Sequence, residues 1–305
     1  MEGDMSVTEE IRRLKKEKNA VLLAHYYVPD EVQEIADFIG DSYYLSKKAA
    51  QTQADILVFC GVRFMGESAA ILNPGKKVLM PDLSADCAMA HMAEVERIKE
   101  MRERYEDLAV VCYINSTAEI KTYSDVCVTS ANAVKIVKAL PNRNIYFIPD
   151  GNLGRYVAEQ VPEKHVLLGG GYCPVHAAWT AEDAARAKAE YPGAKFLVHP
   201  ECTKELLEQA DYIGSTSGII EFAAGDDSRE YIIGTEEGVL YELKKQNPDK
   251  VFYTLNERQI CGDMKLVTLE KIQAVLEHET NEITVTQEMR QQALAPLKRM
   301  LELAK

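Results

Sequence analysis

The sequence predicts an α/β protein of three pseudo-equivalent three-layer αβα domains. Their parallel sheets are set around a pseudo-threefold axis, with the active site at the centre. Three observations predict this. Short β-rich apolar runs alternate with helical patterns of about ten residues, as βαβ units require. A pattern of about 87 residues occurs three times, too long for a solenoid repeat and long enough for a small domain. Every polar member of that pattern falls at the carboxyl end of a strand, where parallel sheets gather ligands.

Taken in order, Ser6 with Glu9 forms a capping box for an N-terminal helix, and the basic run Arg12–Lys18 reads as its solvated face. Each repeat then opens on a strand: Val21–Tyr27, Ala109–Asn115 and Lys195–Glu201. From His25 to Asp37, from Tyr113 to Asp125 and from His199 to Asp211 is 12 residues each time. Five residues further stands a hydroxyl, Ser42, Ser130 or Thr216, where a strand-like segment meets a helix start. A second run follows (Ile56–Cys60, Ile145–Ile148, Tyr231–Ile233), then Gly61, Gly151 or Gly234 and a further helix. A third run (Lys77–Met80, His165–Leu168, Val251–Tyr253) ends the unit, with one cysteine shortly beyond it: Cys87, Cys173 or Cys261. These cysteines are 86 and 88 residues apart. Glu236 and Glu237 are expected to begin a helix and complement its dipole. The domains are accordingly placed at 1–104 (with the N-terminal helix), 105–190 and 191–280. Residues 281–305 form a C-terminal helix packed back on the body, from the periodicity of Met289–Leu303.

Composition narrows the function. The chain has 305 residues, 47% of them apolar, enough to bury a sizeable core. Its net charge of −13 argues against nucleic-acid binding, which needs a basic face. No apolar run approaches a membrane span, and MEGDMSVTEEIRRLKKEK lacks the apolar core of a signal peptide. Seven cysteines, an odd number, in a chain this large fit reduced thiols in a cytoplasm.

One thiolate per domain could hold zinc with a fourth His or water, or three corners of a [4Fe–4S] cluster with one iron left open. Cys60, Cys112 and Cys127 lie in or beside apolar runs and read as core, and Cys202 as a bystander. Ser42, Ser130 and Thr216 read as N-caps whose helix termini bind carboxylates or phosphate. His25 and His199, at matched strand ends, can donate to a carboxylate or shuttle protons. Glu201 is a general acid/base candidate if partial burial raises its pKa. Tyr27, Tyr113 and Asn115 are placed to orient or protonate a carbonyl, and His176 to act behind the metal site. An iron–sulfur synthase, a zinc hydrolase and a non-catalytic redox sensor all remain open on these residues alone.

The segments LAHYY, ADFIGDS, DLSADC, YINSTAEIKTYSD, TSANAV, PDGNLGRYVAE, CPVH, VHPEC and ADYIGSTSG together resemble the quinolinate synthase family, from about Val21 to Lys298. The resemblance implies a [4Fe–4S] enzyme of NAD biosynthesis. Its members condense iminoaspartate with dihydroxyacetone phosphate to quinolinate, releasing phosphate and water. It further implies that Cys87, Cys173 and Cys261 hold the cluster and that Tyr27, Tyr113, Asn115 and Glu201 are catalytic. By the same resemblance His25, Ser42, Ser130, His199 and Thr216 bind the substrate and product carboxylates. Transient contact with the aspartate-oxidising enzyme is a further expectation; partners among nucleic acids or membranes are not expected.

Overall fold

The computed structural model describes residues 6–305. After α1 (Val7–Glu17) the first unit runs β1 (Ala20–His25), α2 (Asp30–Ile35), β2 (Phe38–Gly40), α3 (Ser42–Gln51), β3 (Ile56–Cys60), α4 (Arg63–Leu72), β4 (Lys77–Leu79) and α5 (Val95–Arg104). The second repeats it with β5 (Leu108–Tyr113), α6 (Ala118–Thr122), β6 (Val126–Val128), α7 (Ala133–Ala139), β7 (Asn144–Ile148), α8 (Gly151–Gln160), β8 (His165–Leu168) and α9 (Ala181–Glu190). The third has β9 (Lys195–Val198), α10 (Lys204–Leu207), β10 (Tyr212–Ile213), α11 (Thr216–Gly225), β11 (Glu230–Gly234), α12 (Val239–Gln246), β12 (Val251–Thr254) and α13 (Leu269–His278), before α14 (Gln287–Leu303).

All three sheets are parallel and four-stranded, with one order: β2-β1-β3-β4, β6-β5-β7-β8 and β10-β9-β11-β12. Central strands such as AVLLAH and ILVFC are almost wholly buried, because helices cover both faces of a parallel sheet. The edge strands β8 and β12 are partly exposed. Their counterpart β4 is buried, because residues 281–283 run antiparallel along it: Met80 N donates to the Asn281 carbonyl and Ile283 N to that of Val78. The first two units share one apolar core with α13 and α14, while the third unit has two further cores, one of them completed by Trp179 and α9. Helix α14 packs on α4, α6, α7 and β6, and α13 packs on α1. The capping box of α1 is present as read, and Lys15 and Lys18 of its basic run pair with Asp37 and Glu279.

The three aspartates that mark the repeat have a structural role. The Asp37, Asp125 and Asp211 carboxylates accept from the backbone N–H of Leu22, Val110 and Phe196 at 2.7, 2.7 and 2.8 Å. Each aspartate's own N–H donates back to the carbonyl of the same residue. This clasp ties the start of the short second strand to the first strand and sets the register between them. Asp125→Ala strands the Val110 N–H, and should cost about 1–2 kcal/mol of stability in denaturant unfolding. Its effect on the kinetics should be small; an unchanged midpoint would contradict the clasp.

Candidate functional site

The first strands of the three units end at His25, Tyr113 and Val198, and these ends open on one cavity of about 280 Å³. All thirteen site residues expected from the sequence line it. The first unit contributes His25, Tyr27, Ser42 and Cys87; the second contributes Tyr113, Asn115, Ser130, Cys173 and His176; the third contributes His199, Glu201, Thr216 and Cys261. The cysteines divide cleanly. Cys60, Cys112, Cys127 and Cys202 are wholly buried in the cores, whereas Cys87, Cys173 and Cys261 are part-exposed on the cavity wall.

Repeat-equivalent positions do equivalent work. The Tyr27 N–H donates to His25 Nδ1 (3.2 Å), and the Glu201 N–H donates to His199 Nδ1 (3.3 Å). With Nδ1 accepting, each neutral ring carries its proton on Nε2; His199 Nε2 lies 3.1 Å from Ser130 Oγ. Burial pushes both imidazoles down to about 3, so they meet a carboxylate without a charge of their own. They are uncharged donors. Among the described residues no Lys or Arg lines the cavity, so His Nε2–H groups, hydroxyls and amides must meet an anion there.

These histidines also make stability depend on pH. Unfolded imidazoles take up protons below about 6.5, while the folded ones stay neutral to about 3. The unfolded state then binds more protons, so stability falls as pH drops through that window. His25→Gln or His199→Gln should each flatten the slope of stability against pH between 6 and 4; a slope equal to the parent's would contradict this.

A hydrogen-bonded chain crosses the cavity wall through all three units. Tyr27 OH lies 2.7 Å from Thr216 Oγ1 and 2.8 Å from Thr235 Oγ1. Thr235 Oγ1 lies 2.9 Å from His176 Nε2, and His176 Nδ1 lies 2.8 Å from Glu201 Oε2 and 3.2 Å from Cys173 Sγ. The sequence reading has burial raising the Glu201 pKa, and the structure reverses this. Burial does oppose its ionisation, but the neighbouring His199 and His176 and hydrogen bonds from His176 and Tyr113 outweigh it, holding Glu201 below the usual carboxylate range. An ionised Glu201 accepts from His176 Nδ1–H, which leaves Nε2 to accept from Thr235. Thr235 then accepts from Tyr27, and Tyr27 from Thr216. Burial and the Glu201 charge raise the Tyr27 and Tyr113 phenols well above their ordinary value, so both remain proton donors.

The hydroxyl trio needs a second correction. Ser42 and Thr216 are the first helical residues of α3 and α11; the caps are Asp41, which accepts from Tyr44 N, and Ser215, which accepts from Gly218 N. Ser130 precedes α7 altogether, whose N-cap position is Asn132. The hydroxyls are thereby free of the capping bond and face the cavity. Glu236 and Glu237 do not begin a helix either: α12 starts at Val239 with Gly238 at its N-cap, and Glu236 is fully buried and lines the cavity. Asp41, Thr235 and Glu236 were missed in the sequence. Asp41 is the one acid among Asp41, Thr129 and Ser215, Thr235 stands where the other units have Gly61 and Pro149, and Glu236 has an acidic counterpart, Asp150, in only one of them, so the repeat carried little signal for them. Asn115 Oδ1 is buried without a partner, as an acceptor awaiting a ligand's donor would be.

Three parallel αβα units meeting at one thiol-bearing cavity define a three-domain α/β enzyme scaffold. The family model for Quinolinate synthetase A protein matches residues 9–302. The quinolinate synthase of Clostridioides difficile (strain 630) is 50% identical over 301 residues, 99% of each chain. That of Fusobacterium nucleatum subsp. nucleatum is 53% identical over 296 residues, 97% of this chain and 99% of its own. That of Aquifex aeolicus (strain VF5) is 48% identical over 301 residues, 97% of this chain and 94% of its own. The chain belongs to the quinolinate synthase family. No helix among the described residues is long and apolar enough to cross a membrane.

Proposed function

We propose that this chain condenses iminoaspartate with dihydroxyacetone phosphate to quinolinate, with loss of phosphate and water. It does so in the cytoplasm, with a [4Fe–4S] cluster held by Cys87, Cys173 and Cys261. The observation that carries this reading is the division of the cysteines: one thiol per unit on the cavity, four in the cores. The donor set fits such a cluster better than a single zinc. Tetrahedral zinc with bonds of ~2.3 Å holds its sulfurs about 3.8 Å apart. Among the described residues the one group of three donors gathered within 4.8 Å is Cys173, His176 and Glu201, not the three thiols. Burial pushes Cys87 up to about 12 and Cys261 up to about 11, so a bound cation is what would hold them as thiolates. When bound, the cluster would supply an open iron as a Lewis acid toward a hydroxyl or carbonyl oxygen.

The protein's own groups do the rest. His25 and His199 Nε2–H, with Ser42, Ser130 and Thr216, bind the carboxylates. Asn115 and Tyr113 orient the intermediate. Glu201 takes protons as the terminal base of the Tyr27–Thr235–His176 chain, and Tyr27 returns them at the cavity.

The Cys173–His176–Glu201 group favours a second reading, a hydrolase with one zinc ion. Against it, His176 Nδ1 and Glu201 Oε2 at 2.8 Å are already bonded to each other rather than spread around an ion. An anaerobic assay separates the two: quinolinate formed from dihydroxyacetone phosphate and freshly generated iminoaspartate supports the proposal. A zinc-loaded, iron-free protein with full activity would overturn it.

A further inference from the structure

Behind the Cys261 loop lies an ion pair to which the reaction above assigns nothing. Glu236 Oε1 accepts from Cys261 N (3.1 Å) and lies 2.9 Å from Lys265 Nζ. Glu236 Oε2 accepts from Gly238 N at 2.7 Å. Lys265 Nζ also donates to the Tyr27 carbonyl at 2.8 Å, and Lys265 N donates to the Cys261 carbonyl at 3.2 Å. One buried carboxylate thus ties the thiol-bearing loop of the third unit to Tyr27 of the first. The two backbones meet closely here: a Cβ on Gly238 would lie 2.6 Å from the Tyr26 carbonyl oxygen and 2.8 Å from Tyr27 Cα. Gln33, also fully buried, bridges the same seam by donating to the carbonyls of Tyr26 and Gly238.

Sheet register shows which residues share this place in the other units. Cys60, Ile148 and Gly234 pair with the equivalent residues Ala24, Cys112 and Val198. Two residues beyond them stand Val62, Asp150 and Glu236. Asp150, fully buried like Glu236, caps α8 by accepting from Leu153 N at 2.8 Å, and its Oδ2 is without a hydrogen-bond partner. The first unit has Val62 there, and Asp86 beside the cysteine substitutes: its Oδ1 accepts from Cys87 N at 2.8 Å. Two of the three cavity cysteines, Cys87 and Cys261, therefore have their own amide held by a carboxylate. An amide so committed fixes the cysteine backbone and with it the direction of Sγ.

We propose that Glu236, paired with Lys265, is a positioning residue that sets the Cys261 thiol against Tyr27. The inference rests on the reading of Cys261 as a cluster ligand, and the test keeps the two separable. In the full chain stripped of metal by a chelator, iodoacetamide labelling of each thiol is followed by peptide mass spectrometry. Glu236→Gln should speed labelling of Cys261 about tenfold, with Cys87 and Cys173 at parent rates. Lys265→Met should do the same, although the unneutralised carboxylate it leaves would by charge alone slow that thiol. Lys265→Arg should restore the parent rate within about twofold. In the anaerobically reconstituted holoprotein, Glu236→Gln should shift the electron paramagnetic resonance signature of the reduced cluster and lower kcat more than it raises KM. Unchanged Cys261 labelling in Glu236→Gln, or equal acceleration at all three thiols, would overturn the positioning role. A parent chain that binds no iron would sink the cluster reading, and the labelling pattern would still decide the anchor.

Discussion

Alanine at Cys87, Cys173 or Cys261 is expected to abolish bound iron and quinolinate formation together, while Cys60→Ala keeps both. The three cavity thiols come from three units, and no other cysteine reaches the cavity to substitute for a lost one. Losing one corner leaves two thiol ligands, and His176 and Glu201 beside Cys173 are already bonded to each other. A cluster that depends on three thiolates has no spare ligand to fall back on. Cys60, by contrast, is a wholly buried core residue at the end of β3. Its truncation removes one methylene-sized group and costs roughly 1 kcal/mol of stability. Iron and sulfide analysis with parallel activity assays on the four variants checks this. A cavity-cysteine variant that keeps four irons and full turnover would contradict it, and so would a Cys60→Ala variant that loses its iron.

Glu201→Gln is expected to leave the fold and iron content intact and to lower kcat by about 10²–10⁴-fold, the range for loss of a general base. The amide fits the same space and can still face His176, but it cannot take a proton. Because Glu201 sits below the usual carboxylate range, the parent should hold its base form throughout pH 5–9. Any acid limb in that span then belongs to another group. Thr235→Val cuts the same chain one link earlier and should lower kcat by a smaller factor, with KM close to the parent's. Parent-like turnover in Glu201→Gln would remove the base assignment; a lost cluster would show Glu201 to be structural instead.

The three units and most of the site were legible because triplication writes each position more than once. His25, Tyr113 and His199 share a place, as do Ser42, Ser130 and Thr216, and the cysteines mark a constant period. That redundancy picked out three thiols among seven, which no local motif would have done. The errors fall where chemistry diverges between copies. The place after the third strand of each unit holds Gly61, Pro149 and Thr235, so nothing in the first two copies announces a relay hydroxyl in the third. One residue on stand Val62, Asp150 and Glu236, and the apolar first copy hides the carboxylate that holds the Cys261 amide. The caps were read one residue late because Asp41 and Ser215 are as polar as their neighbours, and only backbone geometry tells a cap from a first helical residue. The ionisation of Glu201 was misread for a related reason. Burial alone would raise its pKa, but the adjacent His199, with His176 and Tyr113 from a different unit, reverses the balance.

The most direct measurement is the iron anomalous signal from crystals of the parent chain grown without oxygen. The account predicts a compact four-iron peak inside the central cavity, with three irons bonded to the sulfurs of residues 87, 173 and 261 and the fourth bonded to no protein atom. A single metal peak seated between Cys173, His176 and Glu201, with the other two thiols unligated, would contradict it.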